Sequence, residues 1–162
     1  MGLDQYLYAS KYQSIARWNK DEENDAVRGI IDLVGADKFI NPDPNGYTMT
    51  EVKIGAATWR KANQVHGWFV QNIQNGEDDC REYDVERKQL AELALLCQTV
   101  LDGRDSNLDN AGQILPPMAG FFFGSDDFDQ WYYEQLSWTA ETITRLLATV
   151  PDDWSFSYRS SW

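Results

Sequence analysis

Tyr47 to Thr58 reads "YTMTEVKIGAAT", and Trp59 to Cys80 continues as "WRKANQVHGWFVQNIQNGEDDC". In the first segment Thr48, Thr50, Val52, Ile54 and Ala56 share one side of an extended chain. Met49, Glu51, Lys53 and Gly55 share the other. Side chains alternate along a strand, so this pattern predicts a half-buried strand. In the second segment Trp59, Ala62, Val65, His66, Phe69, Val70 and Ile73 fall on one arc at 3.6 residues per turn. That spacing predicts a helix from Thr58 to Gln74, stopped by Asn75-Gly76. A strand period running straight into a helix period is the first sign of a mixed fold.

Working outward, "LDQYLYASKY" alternates and is rich in tyrosine, which predicts a first strand from Leu3 to Ala9. "KDEENDAVRGIIDLVGADKF" predicts a short helix from Asp25 to Val34, capped by Asn24 and ended by Gly35. "NPDPNG" at Asn41 to Gly46 is a turn by composition. "DVERKQLAELALLCQTVLD" is the clearest helix, with Asp84 as cap. Its stripe is Leu90, Leu93, Ala94, Leu96, Cys97, Val100 and Leu101. A long polar connection follows, and then "FFFGS", either a short buried strand or an anchored loop. Ser125 is the expected cap of the last helix, which carries acids in its first turn and ends before Pro151. The stripe Phe128, Tyr132, Leu136, Thr139, Ile143 and Leu146 points to the core. In "WSFSYRSSW", Trp154, Phe156 and Tyr158 alternate with Ser155, Ser157 and Arg159, which predicts a final strand. Strands at both ends and in the middle, with helices between, predict an α+β fold. The expected form is a small antiparallel sheet of N-terminal, central and C-terminal strands packed with about four helices, in a single domain over 1–162.

The 26 Asp and Glu against 14 Lys and Arg give a formal charge of −12. Such a surface repels phosphate backbones, so direct nucleic-acid binding is not expected. It suits a basic protein partner, or serves solubility alone. No stretch reads as a signal peptide, a membrane span or an acylation signal, so a cytoplasmic setting with free thiols at Cys80 and Cys97 is expected.

His66 is the only histidine and sits near the middle of its arc. It is either a buried neutral imidazole with both nitrogens bonded, or the floor of a pocket where it acts as acid, base or ligand. Trp68 falls on the opposite, polar side with Lys61, Gln64 and Asn72. A tryptophan there either packs under another segment or forms an interaction surface. Trp131 and Trp138, seven apart, leave the core stripe of the last helix as a second packing face or an aromatic groove. Cys97 reads as an inert core thiol. Cys80 follows Glu77, Asp78 and Asp79, whose charges disfavour a thiolate nucleophile. "DGRDSNLDN" places Asp105, Asn107 and Asp109 at alternate positions. A calcium loop would want glycine and glutamate where Asn110 and Pro116 stand. "GFFFGSDD" lacks the lysine of a phosphate loop. No catalytic constellation emerges, no metal or cofactor is expected, and the balance leans away from an enzyme.

Three pieces, "MGLDQYLYA", "WRKANQVHGWFVQNIQNGEDDC" and "GFFFGSDDFDQWYYEQL", together resemble a family of small proteins from tailed bacteriophages and prophages. The resemblance rests on Gly2, Leu3, Asp4 and Tyr6, on Trp59 to Val70 and on Gly120 to Ser125, and covers about half the chain. Some members carry the label phosphoglycerate kinase. That enzyme is a much longer two-domain α/β protein, and this chain has no nucleotide loop.

The resemblance implies a phage accessory protein. It would bind and inhibit a host protein with a basic surface, such as a nucleic-acid-binding defence complex, in the manner of an anti-CRISPR or anti-restriction factor. The alternative is a small enzyme or ligand-binding protein with a pocket near His66, Asp79 and the segment Phe121 to Ser125. A virion structural protein comes third. The binding residues expected across these readings are Lys61, Asn63, His66, Trp68, Asn72, Asp79, Trp131 and Trp138.

Overall fold

The computed structural model describes residues 2–40, 47–105 and 110–162. The turn expected at Asn41 to Gly46, and Asn107 and Asp109 of the calcium reading, lie outside the described residues. In chain order the elements are β1 (Asp4–Ile15), α1 (Asp21–Leu33), a 3₁₀ turn (Ala36–Lys38), β2 (Thr48–Arg60), α2 (Asn63–Asn72), β3 (Tyr83–Val85), α3 (Arg87–Asp105), α4 (Ala111–Ile114), α5 (Gln130–Thr149) and β4 (Ser155–Ser161). The four strands form one antiparallel sheet in the order β2-β1-β4-β3. The first and last strands are therefore neighbours at its centre. The fold is α+β, with five helices and four strands among the described residues.

The chain divides into two compact units, one of residues 1–9 and 54–162, the other of residues 10–53. In the larger unit the strands contribute Leu7, Ala9, Ala57, Trp59, Phe156 and Tyr158 to the core. Val65 and Phe69 come from α2, Leu90, Leu93, Cys97 and Val100 from α3, and Leu136, Ile143 and Leu146 from α5. Each Val, Leu, Ile or Phe side chain among them contributes about 1.5–3 kcal/mol by leaving water. Trp59 Nε1 donates to Thr139 Oγ1 at 2.8 Å, so the indole's one polar atom is satisfied inside that core. Cys97 lies fully buried on α3, and burial pushes its thiol up to about 12, which keeps it an inert packing group. β3 pairs antiparallel with β4 through Tyr83 with Tyr158, Asp84 with Ser157 and Val85 with Phe156.

In the smaller unit α1 opens with Asp21, Glu22 and Glu23, which suit the positive end of the helix dipole. Asn24 is not the cap. It lies inside the helix, where its amide accepts from the Ala16 N–H and donates to the Ala16 carbonyl, both at 3.1 Å. One side chain thereby satisfies both backbone groups of a residue just past β1. Gly35 ends the helix in the left-handed region at φ 69°, which only glycine adopts without strain.

Other boundaries also differ from the sequence reading, each for a local reason. Thr58 to Arg60 finish β2, so the second helix begins only at Asn63. The buried residues of β2 change parity along the strand. Thr48, Thr50 and Val52 are half-buried in its first half, whereas Ala57 and Trp59 are buried near its end and Ile54 is 53% exposed. Asp84 belongs to β3 rather than to a cap. The start of α3 is held by Gln89, whose Oε1 accepts the Glu86 N–H at 2.8 Å. Ser125 does not cap α5 either. Asp129 does, accepting from the Tyr132 N–H at 2.9 Å, and Phe128 lies before the helix, partly exposed, with its ring edge-on to Tyr132 at 5.1 Å. "FFFGS" is an anchored loop in which Phe123 is buried and Phe121 is 95% exposed.

Candidate functional site

α2 is buried on nearly every side. Asn63, Gln64, Val65, His66, Trp68, Phe69 and Val70 are all closed off from water. A helix with polar residues in that position must pair each of them, because an unpaired buried polar group costs about 1–3 kcal/mol. Asn63 Nδ2 donates to the Ser125 carbonyl at 2.8 Å. Gln64 Nε2 donates to the Tyr132 carbonyl at 3.2 Å.

His66 is 0% exposed and lies in a line of four side chains. Its Nε2 meets Asp78 Oδ2 at 3.1 Å, its Nδ1 meets the Tyr158 hydroxyl at 2.9 Å, and that hydroxyl lies 3.3 Å from Gln5 Oε1. Gln5 Nε2 donates to the Ala62 carbonyl at 3.2 Å, which fixes its oxygen towards Tyr158. Trp162 Nε1 donates to the other oxygen of Asp78 at 3.0 Å. Aromatic rings close the site: Phe123 stands edge-on to the imidazole at 5.1 Å, and Phe69 stacks on Tyr158 at 3.7 Å between centroids.

The three contacts from Asp78 to Gln5 need three protons, and a neutral imidazole plus a phenol supply two. The charge-assisted bond to the Asp78 carboxylate takes the first, from Nε2–H. Nδ1 then accepts the Tyr158 proton, and the longer 3.3 Å contact to Gln5 goes without one. Burial lowers the His66 value below its usual 6.5, and the hydrogen bond and charge of Asp78 oppose that shift without cancelling it. Tyr158 is raised well above its usual value by burial, with the Asp78 carboxylate adding to it. Both shifts keep the pair uncharged. The line ties β1, α2, the turn after it and β4 together.

The sequence reading placed a pocket around His66, Asp79 and Phe121 to Ser125. Those stretches do converge, but they seal His66 instead of opening it, and both ring nitrogens are occupied by the protein. Asp78, not Asp79, is its partner. Asp79 turns to Arg81 and Tyr83 instead. Desolvation raises its carboxyl, but the bonds from Arg81 and Tyr83 together hold it below the usual carboxylate range. Lys61 is exposed at φ 57° and donates its backbone N–H to the Leu3 carbonyl at 2.8 Å. Cys80 is a half-buried free thiol at φ 58°.

Trp68 is not on a wet face: it is only 6% exposed. Trp68 lines a groove of about 360 Å³ together with the segment Ile114 to Met118 and with Gln64, Gln71 and Asn72. Asn72 is exposed, and its Nδ2 donates back to the Trp68 carbonyl at 2.8 Å. Trp131 and Trp138 stand on α5 at 51% and 40% exposure, with the exposed Glu134 and Glu141 interleaved on the same helix. Trp138 rests edge-on against Trp59 at 5.4 Å.

Gln5, Asp78, Tyr158 and Trp162 were not among the expected site residues. Only an acidic residue soon after the helix hinted at one of them. Among the described residues no cluster of three or more His, Cys, Asp or Glu side chains is placed to hold a metal ion. No described helix is long and apolar enough to cross a membrane. Comparison with family models, curated proteins and solved structures returned no match.

Proposed function

We propose that this is a non-enzymatic binding protein that engages a basic protein partner through the exposed face of α5. The observation that carries the reading is the alternation of Trp131, Glu134, Trp138 and Glu141 along that helix, with Asp126, Asp127 and Asp129 exposed ahead of it. Large exposed aromatics anchor protein interfaces, and carboxylates around them select a basic partner and speed its approach. The sealing of His66 adds support, because the chain's single histidine has no access to a substrate.

The narrower reading rests on the family resemblance: an accessory protein of a tailed phage that occupies the basic nucleic-acid channel of a host defence complex. The test is binding to purified defence nucleases over a range of salt, with Trp131→Ala and Trp138→Ala beside the parent. The reading expects binding at low salt that weakens as salt rises, and a loss of about 2 kcal/mol or more for the better-buried anchor. Absence of binding to every basic complex at low salt overturns it.

A further inference from the structure

Besides its core stripe, α3 carries an exposed one: Lys88, Ala91, Leu95, Gln98 and Asp102. Their spacing alternates between three and four residues, which aligns them on one face. Leu95, at the centre, is 66% exposed. It borders a groove of about 640 Å³ between α3 and α5, lined also by Ala91, Ala94, Ala140, Thr144 and Ala148. The two helices run antiparallel. At one end Arg87 Nη2 donates to the Val150 carbonyl at 2.8 Å, and at the other the Arg104 guanidinium lies 4.0 Å from the Tyr133 ring centre. The ends of the exposed stripe are charged against their own helix. Lys88 stands in the first turn and Asp102 in the last, where the dipole favours the opposite signs.

We propose that this face docks on the same face of a second copy of the chain, with the two α3 helices antiparallel and a two-fold axis at Leu95. Lys88 and Asp102 each lie seven residues from Leu95. In that register each Lys88 meets Asp102 of the second copy, and symmetry makes the pair twice. A parallel pairing sets lysine on lysine and aspartate on aspartate, so charge selects the antiparallel one. Glu92 falls by Gln98 of the second copy, an amide and not another acid. Leu95 of the second copy enters the groove beside Leu95, where the small side chains of Ala91, Ala140 and Thr144 leave it space. Burial of both leucines is the apolar contribution. The antiparallel arrangement also sets the positive end of each helix dipole beside the negative end of the other. Lys88 balances Asp102 on α3, and Arg145 balances Glu141 across the groove. A face of balanced charge is where copies of a chain of charge −12 repel each other least. Trp131 and Trp138 do not line the groove, so the inference goes beyond the α5 reading and does not depend on it.

The experiment is analytical ultracentrifugation of the full chain from micromolar to near-millimolar concentration, with no partner added. The expected result is a reversible monomer–dimer equilibrium. Leu95→Lys replaces an exposed side chain, leaves the core intact, and should weaken the dimer about tenfold or more with an unchanged circular dichroism spectrum. Lys88→Asp and Asp102→Lys should each weaken it several-fold, because each sets like charges together in both pairs. Both changes suit the α3 dipole, so neither weakens the helix itself. Asp102→Lys also lowers the net negative charge, so a loss there does not come from general repulsion. The double variant Lys88→Asp/Asp102→Lys restores opposite charges and should recover most of the parent affinity. A monomer at every concentration overturns the proposal and leaves the groove to a different protein. An open series of larger species, a dimer indifferent to Leu95→Lys, or a double variant no tighter than the single ones overturns it as well. Trp131→Ala should leave the equilibrium unchanged, so failure of the α5 reading and failure of this one are separable.

Discussion

His66 is the residue on which the functional reading turns. In the sequence it reads either as a buried neutral imidazole or as the floor of a pocket, and it is sealed because every group around it is used. The proton count along Asp78, His66, Tyr158 and Gln5 predicts a neutral imidazole protonated at Nε2. The 15N shifts of the single histidine report this directly, and an Nδ1–H form at neutral pH contradicts it. The lowered His66 value also sets a pH dependence. Between that value and 6.5 the unfolded chain binds a proton that the folded one does not. This contribution to stability is therefore intact above 6.5 and falls as the pH drops below it, measurable by denaturant unfolding at several pH values. His66→Gln should flatten that slope. Tyr158→Phe strands Nδ1 in a closed site and should cost about 1–3 kcal/mol. A loss below a few tenths would mean that the hydroxyl contributes little.

At the scale of elements, Gly120 to Ser125 takes the second of the two forms its sequence allowed, an anchored loop rather than a short buried strand. It holds Phe123 edge-on to His66 and accepts the Asn63 amide at Ser125. Gly120 has no room for a side chain, since a Cβ there would lie 2.5 Å from the Phe123 ring. Gly120→Ala should displace that ring and destabilise by about 1–3 kcal/mol, with altered NMR shifts at His66. An unchanged melting curve and unchanged His66 signals would show that the loop is free to move away. The helix starts follow the same logic of local competition. Asp84, Ser125 and Asn24 all have the chemistry of caps, yet each is displaced by a neighbour with a better position. β3 pairing takes Asp84, the start of α5 falls at Asp129, and Asn24 finds both backbone groups of Ala16. Cap residues are common in acidic loops, so their presence alone does not place a boundary.

At the scale of the whole molecule, the two units differ in how much they bury. Within residues 10–53 the described buried side chains are Ala16, Asn24 and Val27, while Trp18, Leu33, Val34 and Phe39 are exposed. The larger unit holds the aromatic and leucine core. Amide exchange should therefore be faster through α1 than through α3 and α5, and equal protection would contradict the difference in burial.

Much of the architecture was legible locally. The alternation at Asp4 to Ala9, Thr48 to Val52 and Ser155 to Tyr158, and the stripes of α3 and α5, follow from side-chain periodicity that neighbours in sequence carry by themselves. Trp131 and Trp138 were legible for the same reason, as departures from a stripe. The environments of His66 and Trp68 were not. The partners of His66 lie 12 and 92 residues away, and Tyr158 meets Gln5 across 153. Trp68 shares its groove with Ile114 to Met118. Sequence by itself determined which faces are apolar, because periodicity is a property of adjacent residues. Only the tertiary structure decided that His66 is closed and Trp68 covered, because those states depend on which distant segments fill the remaining space.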